Sequence, residues 1–245
     1  MNLVNSQNLF TIVQRLTILG KDRFVEEEEG RYMRQIDALA REILENNVKM
    51  VLLAGPSGSG KTTTAHNLRK CLMQRLKGVD RYVYCLSMDD WYMSGDRYVM
   101  PVDEEGNPDY ESPECLDIPR LNQDLDDLFA GREVSIPCYN FITRRSLDSG
   151  ARFTLQPGDV VIMEGLHALN PIIRFPEDPE NCLRVYVSPA DVVVDEKDGE
   201  LLDNQFIRLC RRIYRDRDQR GSTEEETLAK AKSVDRGERL YIVPF

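Results

Sequence analysis

The 245-residue chain has no apolar run near the roughly 18 residues that a membrane-crossing helix requires, so no membrane role is expected. It also lacks a surplus of positive charge. Its 32 Lys and Arg stand against 42 Asp and Glu, a net charge of −10, whereas neutralising a phosphate backbone needs the opposite balance over a broad face. Nucleic acid is therefore not an expected partner. None of the six cysteines forms a CxxC pair, which removes the spacing of a structural zinc site, and most lie in apolar stretches that read as buried free thiols. Residues 1–5 offer neither the basic nor the apolar segment of a secretion leader. A soluble protein of the reducing cytoplasm is expected.

What is present is an alternation of two patterns. Residues 48–54 are almost continuously apolar and end at Gly55, as a strand buried on both faces of a parallel sheet requires. Similar runs occupy 82–86, 160–163 and 183–187, with helical patterns at 62–76 and 118–130. Upstream, Met33, Ile36, Ala40, Ile43 and Leu44 mark an amphipathic helix over 31–47. The fold class is thus α/β, with a mainly parallel sheet flanked by helices. Residues 1–25 show no clear period, and the glutamates at 26–29 read as a solvated helix start. Residues 92–119 form a long connection rich in Pro, Gly, Asp and Glu, a length that usually carries function.

The most specific signal is Gly55-Pro56-Ser57-Gly58-Ser59-Gly60-Lys61-Thr62, which fits GxxxxGK[ST] between a buried-strand pattern and a helix. Glycines there let successive N–H groups face a phosphate, and the helix adds its positive N-terminus. Lys61 is placed to reach the β- and γ-phosphates and the Thr62 hydroxyl to meet Mg²⁺. No NKxD tetrapeptide is present to read guanine. Glu164, which ends the 160–163 run, is a candidate to hold a water on the metal. At the end of the 82–86 run stands Met88-Asp89-Asp90-Trp91-Tyr92, where one carboxylate can act as base toward an acceptor hydroxyl. Between Arg208 and Arg220, six Arg and two Asp give a local charge of 6 − 2 = +4. Arg208, Arg211, Arg212 and Arg215 recur at helical spacing, which suits a lid that grips phosphates with guanidinium forks.

Taken in order, GPSGSGKTT (55–63), SMDDWY (87–92), DYESPECLD (109–117), IPCYNF (136–141), MEGLHALN (163–170) and RRIYRDRDQRG (211–221) resemble the uridine kinase and phosphoribulokinase family of P-loop kinases. The likeness is greatest to bacterial uridine kinase-like nucleoside kinases. It covers residues 31–245, leaves 1–30 as an N-terminal extension of unread role, and implies a chain shortened at its C-terminus. It implies transfer from ATP or GTP, with Mg²⁺, to the 5′-hydroxyl of a nucleoside such as uridine or cytidine, by a homo-oligomeric enzyme. By the same resemblance Asp89 is the base, assisted by Lys61, Arg215 and Arg220, and residues 55–63, including Thr63, hold the nucleotide. Tyr92, Glu111, Tyr139 and Arg212 face the acceptor, and Thr62 and Glu164 serve the metal. Arg144 stands where the family has a base-reading His, and Ser222 where it has a last lid Arg. The alternatives are a kinase for another hydroxylated metabolite, such as a sugar phosphate or a pantothenate-like compound, and a nucleotide-binding module without turnover. His167 reads as a structural histidine just past a strand.

Overall fold

The computed structural model describes residues 6–174, 181–189, 192–195, 197 and 199–244; the opening residues 1–5 and Phe245 lie outside them. A short strand β1 (Ser6–Asn8) leads into helices α1 (Leu9–Leu19) and α2 (Lys21–Glu45). Then follow β2 (Met50–Ala54), α3 (Lys61–Arg75), β3 (Val83–Ser87), α4 (Ile118–Phe129) and the hairpin β4 (Val134–Asn140) and β5 (Arg145–Phe153). The chain continues through β6 (Val160–Glu164), β7 (Cys182–Tyr186), β8 (Val192–Val194), β9 (Glu200–Leu202), α5 (Asn204–Arg215), α6 (Glu224–Ala229) and α7 (Ala231–Tyr241).

The four apolar runs form one parallel sheet in the order β3–β6–β2–β7. Every residue of β2 and β6 is buried, because helices cover both faces. On one face Ile36, Ala40 and Ile43 of α2 and Leu68 and Leu72 of α3 pack on Val51, Leu53, Val160 and Ile162. On the other, Leu121, Leu125 and Leu128 of α4 join Trp91 and Met88 against Met50, Leu52, Val161 and Met163. The register then sets the strand ends level: Leu53 and Ser87 both lie opposite Glu164, and Ala54 lies opposite Tyr186.

Three local readings change. The helix expected over 31–47 begins at Lys21, so the glutamates at 26–29 are mid-helix, where Glu27 and Glu28 pair with Arg15 of α1 at 3.2 and 2.6 Å. That stretch is largely exposed, and a helix without a buried stripe leaves no apolar period to read. The β4–β5 hairpin shows no strand pattern in sequence, since Pro137 interrupts β4 beside a register shift and β5 is mostly exposed. Only Cys115 of the six free cysteines is fully buried, while Cys138 and Cys210 are exposed.

Candidate active site

The phosphate loop begins where β2 ends. A Cβ on Gly55 would stand 2.1 Å from the Val187 carbonyl oxygen, so only glycine lets the loop leave the sheet beside β7. Gly58 and Gly60 adopt φ of 81° and 101°, the left-handed region that L side chains avoid. No side chain caps the N-terminus of α3 at Gly60, which leaves its first-turn N–H groups facing the loop's concavity. Lys61 Nζ donates to the Pro56 carbonyl at 3.3 Å. Desolvation holds this ammonium below the usual lysine range, against the pull of Glu164, Asp89 and Glu111.

Level strand ends bring the carboxylates to that ammonium. Glu164, 5% exposed, accepts at Oε1 from the Thr62 hydroxyl (2.9 Å) and the Ser87 hydroxyl (3.0 Å). Burial and then the charge of Asp89 raise its pKa, opposed by Lys61 and the two hydroxyls. Thr62, Ser87 and Glu164 thus supply hard oxygen donors suited to Mg²⁺. Among the described residues no cluster of three or more His, Cys, Asp or Glu could hold a metal alone.

Asp89 and Asp90 share the 3₁₀ turn Met88–Trp91 that follows β3. The turn packs on the end of β6 because a Cβ on Gly165 would lie 2.6 Å from the Met88 Cβ. Asp90 accepts from the Tyr139 N–H at 3.4 Å and so ties β4 to the turn; burial raises its pKa. The Asp89 carboxylate has no hydrogen-bond partner among the described residues, and its charge acts on both Lys61 and Glu164.

A cavity of about 400 Å³ opens where Tyr92 leaves the 3₁₀ turn and reaches Ser57 of the phosphate loop. Tyr92, Tyr139 and Phe141 wall it, with ring centroids 5.4, 6.1 and 5.1 Å apart. Glu111 lines it too, its pKa raised by burial and lowered in part by Arg212, Lys61 and Arg220. Arg144, at φ 54° in the β4–β5 turn, is exposed at the rim. Arg220 lies 4.4 Å above the Phe141 ring and 3.8 Å from Asp216. Ser57 links the cavity to the phosphate loop by accepting from Arg215 Nη2 at 3.3 Å.

Helix α5 lies directly on the loop: a Cβ on Gly58 would meet the Arg208 carbonyl at 2.8 Å and the Arg212 Cγ at 2.9 Å. The four arginines read as one cationic face do not act alike. Arg208 is 2% exposed and pairs with Glu238 at 2.6 Å and Asp235 at 3.5 Å, Arg212 is buried, and Arg211 points to solvent. The cause is α7, whose acids take the inner side of α5. Lys230, Ser233 and Val234 at the start of α7 also line the cavity, and sequence reasoning missed them. The Thr223–Glu226 capping box announces the preceding helix α6, but nothing local says that α7 faces the cavity. His66 is exposed on α3.

A phosphate loop, a strand-end carboxylate and an arginine-bearing helix at the carboxyl edge of a parallel sheet define a P-loop kinase. The chain belongs to the phosphoribulokinase / uridine kinase family, whose model matches residues 50–245, and it is an ATP-dependent small-molecule kinase. It is 31% identical to a uridine kinase of Lactobacillus johnsonii over 72% of this chain and 71% of that protein. A Staphylococcus aureus uridine kinase is 29% identical over 75% of this chain and 76% of its own length. Among solved structures, a Silicibacter protein described as a fructose transport system kinase superposes with a TM-score of 0.55 at 18% identity, covering 82% of this chain and 89% of that one. The YGR205w protein gives 0.54 at 17% identity, covering 88% and 87%. These two likenesses show the fold.

His167 supplies a test of how this site is buried. Desolvation pushes its imidazole down to about 4 from 6.5. Between those values the unfolded chain binds a proton there that the folded chain does not, so stability present above pH 6.5 is lost as pH falls toward 4. Replacing the imidazole should remove acid sensitivity on the order of 3 kcal/mol across that window. Urea unfolding of the native chain and His167→Gln at a series of pH values measures it; parallel curves would place the imidazole in water.

Proposed function

We propose that this kinase transfers the γ-phosphoryl group of ATP, with Mg²⁺, to the 5′-hydroxyl of a nucleoside, uridine or cytidine, in the cytoplasm. The observation that carries the reading is the uncommitted Asp89 carboxylate, whose charge acts both on Lys61 of the phosphate loop and on Glu111 and Tyr92 of the aromatic-walled cavity, while its neighbour Asp90 is engaged with Tyr139. The names of the curated relatives support a nucleoside acceptor. No helix among the described residues is long and apolar enough to cross a membrane. The kinase unit is assigned to residues 31–245, with 1–30 as an extension, and a homo-oligomer follows from the family resemblance.

Phosphoryl transfer asks the protein mainly for positioning and charge neutralisation. Residues 55–63 cradle the phosphates through backbone N–H groups, and Lys61 adds a desolvated positive charge. Thr62 and Glu164 would hold Mg²⁺, which would supply charge neutralisation for the phosphates. Asp89 accepts the proton of the attacking hydroxyl. Tyr92 and Tyr139 stack the acceptor, Glu111 meets its hydroxyls, and Arg212, Arg215 and Arg220 meet charge that develops in transfer. One observation favours a second acceptor class. Arg144 and Lys230 line the cavity without a carboxylate partner among the described residues, an arrangement that also suits a sugar phosphate or a pantothenate-like acid.

Asp89→Asn should keep nucleotide affinity and lose about a hundredfold or more in kcat, whereas Asp90→Asn should lose far less. Steady-state kinetics with titration of a fluorescent ATP analogue reads both, and a fully active Asp89→Asn would remove Asp89 as the base. Arg144 carries a fixed charge and can only donate, so Arg144→His should change the relative kcat/KM for uridine, cytidine and a sugar phosphate. An identical order and ratio in both proteins would show that this position does not read the acceptor.

A further inference from the structure

Glu111 is held from three directions by groups to which phosphoryl transfer assigns nothing. Its N–H donates to Asp109 Oδ1 at 3.2 Å. Its carbonyl oxygen lies 3.0 Å from His167 Nε2. The point where Gly237 of α7 would carry a Cβ is 2.6 Å from the Glu111 Cβ, so the helix backbone presses directly on this residue. A carbonyl can only accept, which makes His167 the Nε2–H tautomer.

Each holder is itself held. Asp109, 2% exposed, accepts at Oδ2 from Arg236 Nη1 (2.6 Å) and the Tyr241 hydroxyl (2.9 Å). The Tyr241 ring meets the His167 ring edge-on at 5.4 Å. His167 is 2% exposed, and its Nδ1 is buried without a partner among the described residues. A buried polar atom left unpaired is costly, so the imidazole contributes chiefly through its other nitrogen. Among the described residues that nitrogen has one partner, the Glu111 backbone.

We propose that His167 is a positioning residue for acceptor binding, fixing through its Nε2–H bond the backbone that aims the Glu111 carboxylate into the cavity. Asp109 and Gly237 are the other two supports. This rests on the reading of Glu111 as an acceptor contact. It also gives the turn after β6 a second task, since the strand end that carries Glu164 then sets acceptor geometry as well as donor geometry.

A glutamine amide nitrogen falls near the place of imidazole Nε2, and an asparagine amide near Nδ1. His167→Gln therefore keeps the donor that His167→Asn withdraws. With uridine and ATP and the full chain, His167→Asn should raise the KM for uridine about tenfold and leave the KM for ATP within about twofold, while His167→Gln stays within about threefold for both. Gly237→Ala disturbs Glu111 from the opposite side, on a helix where alanine is itself favourable, and should raise the uridine KM in the same selective way even if His167→Asn folds poorly. Equal uridine KM values in the Asn and Gln variants, or a matching rise in the KM for ATP, would overturn the positioning role. Glu111→Gln separates the two levels. An unchanged uridine KM in that variant sinks the reading of Glu111 and the inference with it, whereas a raised KM there beside an unaffected Gly237→Ala and His167→Asn overturns the inference alone.

Discussion

The pairing of β6 between β2 and β3 places Glu164 opposite both Leu53 and Ser87, and the site depends on that register. A parallel sheet delivers its strand ends to one edge, where the connecting loops must carry whatever the protein does to a ligand. Here the level ends let a hydroxyl from the start of α3 and another from the end of β3 converge on one carboxylate oxygen. A slip of one residue would turn Glu164 to the opposite face of the sheet and leave both hydroxyls without it. The packing of distinct side-chain sets on the two faces of β2 and β6 against the flanking helices opposes such a slip.

That geometry gathers charge where water is scarce. Lys61, Glu164, Glu111 and Arg212 are each shifted by desolvation toward their neutral forms, and each is drawn back by the opposite charges of the others. Such a group is poised for an incoming anion rather than for stability, because donors fixed in advance need no reorganisation when charge develops. Arg208 shows the contrasting use of the same residue type. Its pair with Glu238 at 2.6 Å anchors α5 to α7, and Glu238 also accepts from the Tyr186 hydroxyl at 2.9 Å, so the helix above the phosphate loop is tied to the edge of the sheet.

How much of this was legible depended on whether a signal was local. The phosphate loop, the four core strands and the helices following Gly60 and Asp117 could be read because buried strands must be apolar throughout and the loop's glycines serve its own backbone. The paired Thr62 and Glu164 could be named for the same reason. The hairpin could not, because Pro137 and an exposed second strand carry no alternation. Nor could the division of labour among the arginines. Arg208 and Arg211 differ only in what α7 presents to them, and Glu238 lies 30 residues away in sequence. The roles of Asp109 and Gly237 were hidden likewise, since the contacts that define them come from Arg236, Tyr241 and Glu111.

A kinase site must spend its phosphoryl group on the acceptor and not on water, and in the proposed function the aromatic-walled cavity is where that choice is made. The most direct measurement is the product balance of the purified chain with ATP, Mg²⁺ and uridine, followed by phosphorus NMR. ADP and uridine 5′-monophosphate should appear in equal amounts, with ADP formation falling to a small fraction of that rate when uridine is left out. ADP released at the same rate with and without uridine, and no uridine monophosphate formed, would contradict the assignment of the cavity as a nucleoside acceptor site.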